Sequence, residues 1–194
     1  MTTNERGVAY IAQSVFRVVR EEFSGIRPRI HAARLISSLV PLDTGGQLRV
    51  RLLKGIGCSV GTGTVVADLP KITGVQGQSA TNLRIGANCT INVGCEFEIA
   101  QTITIGDNVS IGHQTLVLTT THELGPRTAR AGAPVTNPVV IEDGVSIGPR
   151  CVILPGVTIG AGSIVEPCSV VNTKIPANVR VAGTPARQIE VLHT

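Results

Sequence analysis

His122 stands where a regular chain stops being regular. Residues 111–148, IGHQTLVLTTTHELGPRTARAGAPVTNPVVIEDGVSIG, follow a six-residue rhythm at both ends and lose it over 123–138. A loop carrying Gly125, Pro126, Gly132, Pro134 and Pro138, thrown out from a repeating chain, points to a function rather than to packing. A neutral imidazole accepts a proton near pH 7, so His122 is the candidate general base, a role worth on the order of 10²–10⁴-fold in rate. Glu123 follows it, either as a group that orients the ring or as a solvated charge of the loop. His113 is third in its repeat and is expected to point outward, and His31 and His193 have no supporting context. Cys58, Cys89, Cys95, Cys151 and Cys168 are odd in number and match no metal spacing, so no metal site is expected from them.

The elements that must hold His122 are legible in the composition. The chain has 194 residues, within the usual size of one domain. It contains 22 Gly but only three Phe, one Tyr and no Trp, so its core must be built from small aliphatic residues in thin, repeated layers. Repeats run from about Ile56. IGANCT, INVGCE and FEIAQT begin at Ile85, Ile91 and Phe97. After a short slip, IGDNVS, IGHQTL and VLTTTH begin at Ile105, Ile111 and Val117. Past the loop, six more begin at Ile141, Ile147, Ile153, Ile159, Val165 and Val171. A small or branched residue sits four positions after each leading aliphatic: Val145, Cys151, Val157, Ser163 and Ser169.

A period of six means one short strand and one corner per repeat, and three repeats close a triangular coil. Hexapeptide coils are an exception to right-handed crossover. The expected fold is therefore mainly β, a left-handed parallel β-helix with N-terminal helices and an extruded loop. The expected organisation is an N-terminal helical cap over 1–45, the β-helix over 46–190 with its loop at 123–138, and a tail over 191–194.

Two helices are expected near the N-terminus. GVAYIAQSVFRVVREEF places Val8, Ile11, Val15, Val18 and Val19 close to helical spacing. RPRIHAARLISSLV is basic and amphipathic, with Pro28 early and Pro41 just past its end. They form a cap on the main domain or, alternatively, a surface for peripheral contact with a membrane or a lipid-linked substrate. No run of eighteen apolar residues occurs, so no transmembrane helix is expected. The polar start, MTTNERGVAY, lacks the order of a signal peptide. With the unpaired cysteine count this gives a cytoplasmic expectation. The net charge of +4 suits an anionic ligand such as a phosphate. The scarcity of aromatics argues against single-stranded nucleic acid, and no nucleic-acid partner is expected.

Residues 56–190 resemble the hexapeptide-repeat acyltransferases, closest to the sugar O-acetyltransferase branch that includes maltose and galactoside acetyltransferases. IGDNVSIGHQTLVLTTTH resembles the segment leading to that family's catalytic histidine, PVVIEDGVSIGPRCVILPGVTIGAGSIV its C-terminal coils, and KIPANVRVAGTPARQI its closing segment over the cofactor. The resemblance implies a homotrimer with active sites between subunits and acetyl-CoA or another acyl-CoA as co-substrate, with no metal required. It implies His122 as the base and Asn92, in TINVG, as a residue lining the acceptor site. It places the pantetheine arm near Gly148, Pro149, Pro167 and Asn172, and the phosphates at Lys174 and Arg187, with Arg150 and Arg180 as further candidates. Asn92 falls in the repeat led by Ile91 and His122 in that led by Val117, four repeats on, hence on another face. Such residues meet most easily across a subunit boundary, which a trimer provides. The chain departs from the family in having Thr121-His122-Glu123 where Gly-His-Pro is common, and Ser146 where Trp is common. LRVRLLKGIGCSVGTGTVV is closer to the entry of polysaccharide and lipid-carbohydrate acyltransferases.

The implied activity is CoA-dependent O-acyl transfer, acetyl first, to a hydroxyl of a sugar, polysaccharide or glycolipid precursor. That chemistry needs a base for the hydroxyl, a donor for the oxyanion, such as a backbone N–H at a Gly-rich corner, and departure of the CoA thiolate. The alternatives are N-acyl transfer to an amino sugar or other amine, which the same base serves, and use of a longer or dicarboxylic acyl-CoA. A zinc lyase of the γ-carbonic anhydrase type needs three converging histidines, and the coil holds His113 and His122. A non-catalytic scaffold accounts for neither the loop nor the closing segment.

Overall fold

The structure, a computed structural model, describes residues 27–42, 44–74 and 80–193. The helical pattern of residues 7–23 lies outside the described residues. From Ser59 onward the chain forms a left-handed parallel β-helix of three faces, most strands being two or three residues long. The first face stacks Ser59–Val60, Leu83–Ile85, Ile103–Ile105, Val139–Ile141 and Thr158–Ile159. The second stacks Val65–Val66, Thr90–Ile91, Ser110–Ile111, Ser146–Ile147 and Ile164–Val165, then Val179–Gly183 and, antiparallel, Ala186–Val191. The third stacks Lys71–Thr73, Glu96–Glu98, Leu116–Val117, Val152–Ile153 and Val170–Val171.

The register explains the period. Ile85, Ile105, Ile141 and Ile159 are direct partners on the first face, Ile91, Ile111, Ile147 and Val165 on the second, and Phe97, Val117, Ile153 and Val171 on the third. All twelve are buried, so each face contributes one continuous apolar column, with burial of each such side chain worth about 1.5–3 kcal/mol. The residues four positions on, Val145, Cys151, Val157, Ser163 and Ser169, are also buried. Cys58, Cys89 and Cys95 lie inside as well, each acting as a small apolar residue. Four of the five cysteines are thus packing residues, and Cys168 is exposed. The slip after Phe97 is absorbed at the corner between the third and first faces, where eight residues rather than six separate Phe97 from its successor Ile105.

The N-terminal end departs from the expected boundaries. Helix α1 spans Pro28–Ser38 and helix α2 spans Gly46–Gly55, so residues 46–55, assigned to the β-helix by their sequence, are helical. Pro28 starts α1, where its missing N–H costs nothing. Arg49 of α2 is buried and holds the connection between the helices. Its Nη2 donates to the carbonyls of Val40 (2.9 Å) and Pro41 (3.0 Å), its Nη1 to those of Leu42 (3.3 Å) and Thr44, and its Nε to Ser37 Oγ (3.2 Å). Leu53 and Ile56 are buried in the same core as the first coil. The C-terminal end also differs slightly: Val191 belongs to the last strand and Leu192 N–H bonds Asn178 O at 2.8 Å, so the tail is shorter than 191–194.

Candidate active site

The segment that breaks the rhythm is an arm, not an irregular loop. Strands Thr120–Leu124 and Ala131–Thr136 pair antiparallel, with Thr120 opposite Thr136, Thr121 opposite Val135 and His122 opposite Pro134, followed by an irregularity before Leu124. His122 therefore belongs to the first strand of the arm rather than to the coil led by Val117. The arm leaves the β-helix at the corner between the third and first faces, after Val117 and before Val139.

His122 is exposed, and its Nδ1 lies 3.0 Å from the carbonyl oxygen of Gly132 across the arm. A carbonyl only accepts, so the neutral ring carries its proton on Nδ1 and leaves Nε2 bare, an assignment that rests on this partner. The orienting group is thus Gly132 and not Glu123, which is an exposed residue of the arm. A Cβ at position 132 would lie 2.9 Å from Glu123 O, so glycine is what lets the two strands close this tightly.

Asn92 follows Ile91 at the corner between the second and third faces. Its Nδ2 donates to Ile111 O at 2.9 Å, which fixes the carboxamide and leaves Oδ1 without a hydrogen-bond donor among the described residues. Asn92 and His122 are not brought together within one chain: they flank the third face on its two opposite edges. Gly148, Pro149 and Pro167 lie on Asn92's edge. A Cβ on Gly148 would approach Pro167 N to 2.6 Å, and one on Gly112 would approach Gly148 C to 2.5 Å, so successive coils touch backbone to backbone there. Asn172 and Lys174 lie on the arm's edge, in the corner after Val171, and Arg187 sits on the last strand of the second face. Lys174 and Arg187 are exposed and pair with no carboxylate among the described residues. Arg180 is committed elsewhere, with Nη1 2.6 Å from Glu166 and Nε 2.8 Å from Glu190. That removes it from the phosphate candidates. Arg150 donates from Nε to Gln114 Oε1 at 2.9 Å.

Sequence reasoning passed over Glu98. Its carboxylate takes the backbone N–H groups of Thr119 (2.7 Å) and Thr120 (2.8 Å) at the root of the arm. Burial pushes the Glu98 carboxyl up, but the hydrogen bonds from Thr120 and Thr119 outweigh it and hold the group below the usual carboxylate value. The only signal in the sequence is the lengthened spacing after Phe97. Among the described residues no group of three or more His, Cys, Asp or Glu side chains is arranged to hold a metal ion, and no helix is long and apolar enough to cross a membrane.

The fold of six-residue coils matches known proteins. Residues 138–173 match the family described as bacterial transferase hexapeptide (six repeats). The chain is 36% identical over 145 residues to nodulation protein L of Rhizobium meliloti, covering 75% of this chain and 76% of that one. It is 36% identical over 113 residues to galactoside O-acetyltransferase of Escherichia coli, covering 58% and 56%. It superimposes on a hexapeptide-repeat-containing acetyltransferase of Vibrio cholerae O1 biovar eltor, solved with acetyl coenzyme A, at TM-score 0.72 and 32% identity, covering 89% of this chain and 90% of that one. The chain belongs to the hexapeptide-repeat transferase family. It spans about half the length of the first curated relatives it matches, 52% and 56%.

Proposed function

We propose that the protein is an acyltransferase that moves an acyl group, acetyl first, from acyl-CoA to a hydroxyl of a sugar, polysaccharide or glycolipid precursor. The observation that carries this reading is the Nδ1 contact of His122 with Gly132 O at 3.0 Å, which leaves Nε2 as the free proton acceptor on a projecting arm. Nε2 takes the acceptor's hydroxyl proton as the oxygen attacks the thioester carbonyl. The C–O bond forms, the C–S bond breaks, and the departing CoA thiolate recovers the proton from the imidazolium. A base so placed serves an amine acceptor as well, and N-acyl transfer is the second reading.

The placement of the other residues supports a shared site in a homotrimer. The arm with His122, Asn172 and Lys174 occupies one edge of the third face, and Asn92, Gly148, Pro149 and Pro167 occupy the other. A threefold axis sets unlike edges of neighbouring subunits side by side, which brings the base of one subunit to Asn92 of the next. The residues present suit CoA: a corner of bare backbone at Gly148 for the pantetheine arm, and for the phosphates the exposed cations Lys174 and Arg187, which pair with no carboxylate among the described residues. Acyl-CoA supplies the activated thioester, and this chain supplies base, acceptor contact and charge. Helix α1 carries exposed Leu35 (67%) and Arg34, and exposed Leu39 (78%) follows its last residue, which supports contact with a lipid-linked acceptor.

The test is thiol release from acetyl-CoA and longer acyl-CoAs with a panel of mono-, oligo- and lipid-linked sugars and amino sugars. His122→Ala is expected to lose about 10²–10⁴-fold in kcat while still binding CoA. Full activity in the variant would end the assignment of His122 as base.

A further inference from the structure

We propose that Glu98 is the positioning residue for His122: its carboxylate pins the root of the arm to the coil below and so sets where the imidazole stands. This rests on the reading of His122 as the base. A two-stranded hairpin is marginal by itself in water, and this one has no core of its own, since every residue from Thr121 to Leu124 is exposed. Within one chain, what fixes its direction acts at the root.

The root is tied by a dense set of bonds around one carboxylate. Oε2 accepts the N–H of Thr119 at 2.7 Å and of Thr120 at 2.8 Å, and Oε1 accepts the hydroxyl of Thr120 at 2.6 Å. The Thr119 hydroxyl lies 2.9 Å from Oε2 and 2.8 Å from Glu98's own carbonyl oxygen, and it accepts Gln101 N–H at 3.1 Å. The returning strand is tied to the same residue, because Asn137 N–H bonds Thr119 O at 2.8 Å. Room for the carboxylate comes from Gly74 one coil lower, where a Cβ would stand 2.5 Å from Glu98 Oε1. Every partner of the carboxylate is a donor, so only an acceptor with both oxygens bare satisfies the node, and charge-assisted bonds of this kind are the stronger ones.

The link to chemistry is geometric. Thr120 and His122 are two apart on one strand, so they share a face about 6.6 Å apart. A tilt at Thr120 reaches the imidazole with nothing between to absorb it, and it also shifts the register that aims Nδ1 at Gly132 O. A displacement of ~1 Å in a reacting group costs up to about 10²-fold in rate.

The deciding experiment reads the ring directly. The 15N shifts of the His122 imidazole, one of four histidines, are recorded for wild type, Glu98→Gln, Glu98→Ala and Thr120→Val, together with hydrogen exchange over the arm. In wild type the ring is expected to hold its proton on Nδ1. Glu98→Gln puts an amide NH₂ against donors and is expected to give mixed tautomers and faster exchange in the arm. Turnover with acetyl-CoA and the monosaccharide panel is expected to show kcat down about 10–100-fold with KM for acetyl-CoA within about twofold. Thr120→Val, which removes one bond and keeps the shape, moves each readout the same way by less, and decides the matter if the Glu98 variants do not fold. An unchanged tautomer and unchanged arm exchange in the folded variants would overturn the proposal. An unaffected His122→Ala would instead overturn the base assignment, whereas the ring spectra and arm exchange would still decide whether Glu98 sets the imidazole's position.

Discussion

Replacing Gly148 by Ala tests whether the backbone contact between coils is both structural and functional. The added Cβ would stand 2.6 Å from Pro167 N and 2.9 Å from its Cα and Cδ. Ordinary contact begins near 3.4 Å, so the neighbouring coil must move by about 0.8 Å or the corner must distort. None of these atoms belongs to a flexible side chain, and relief must come from the coil stack itself. The bond from Gly148 N–H to Val165 O, now 2.8 Å, lies in the same gap and lengthens with it. Overpacking costs about 1–3 kcal/mol and a weakened hydrogen bond about 1 kcal/mol, so ~3 kcal/mol is expected. For a chain of this length that lowers Tm by roughly 6–12 °C. Differential scanning calorimetry measures the shift, and titration with CoA measures whether affinity falls with it. Gly55→Ala is the control. Gly55 ends α2 with nothing within 4 Å of the added atom, and helix propensity predicts a gain of about 0.5–1 kcal/mol with no change in CoA affinity. A Gly148→Ala protein melting within about 1 °C of wild type would refute the reasoning that these coils stack too closely for a side chain.

Three further outcomes are expected elsewhere in the molecule. Arg49→Met strips the carbonyls of Val40, Pro41, Leu42 and Thr44 of their buried donor and is expected to cost about 2–4 kcal/mol, read as a lower denaturation midpoint with faster hydrogen exchange over 40–50. Ellman's reagent at pH 8 is expected to modify Cys168 quickly and the other thiols only on unfolding. Cys168 is exposed, while burial pushes Cys58 up to about 12 and raises Cys89, Cys95 and Cys151, and the thiolate is the reactive form. A rapid count above one in the folded protein would contradict this. The double variant Leu35→Gln, Leu39→Gln is expected to lose at least about tenfold in co-sedimentation with anionic phosphatidylglycerol vesicles, since each buried Leu is worth about 1.5–3 kcal/mol, with Tm unchanged. Equal binding by the variant would restrict the helices to a capping role.

The columns of the β-helix were legible in the amino-acid sequence because the rule that produces them is local. A short strand and a corner repeat every six residues, and the inward position recurs in phase, so Ile141 through Val171 announce their partners without any long-range information. The break after His122 was legible for the same reason: a missing beat shows against a strict rhythm. Local periodicity was thus enough for the coils and for the interruption, but it left His122 at the end of the repeat led by Val117, whereas the strand that begins the arm starts at Thr120 and carries His122.

Contacts between distant segments decided the rest. Residues 46–55 alternate Leu48, Val50 and Leu52 with polar neighbours, a strand-like pattern, yet they are helical, because Arg49 is worth burying only where Ser37 and the carbonyls of 40–44 surround it. The arm carries Gly and Pro like a loop but closes into paired strands, since its cross-strand bonds depend on which residues oppose each other. His122 stands opposite Pro134, and the register shift that follows it goes with Gly132 O, rather than the adjacent Glu123, lying on Nδ1. Arg180 looked like a free cation until the last strand brought Glu190 to it. Glu98, 24 residues before His122, drew no notice in the sequence, and only the stacking of one coil on the next set its carboxylate under Thr119 and Thr120. Periodicity is a property of neighbours along the chain, whereas the aim of a side chain depends on neighbours in space.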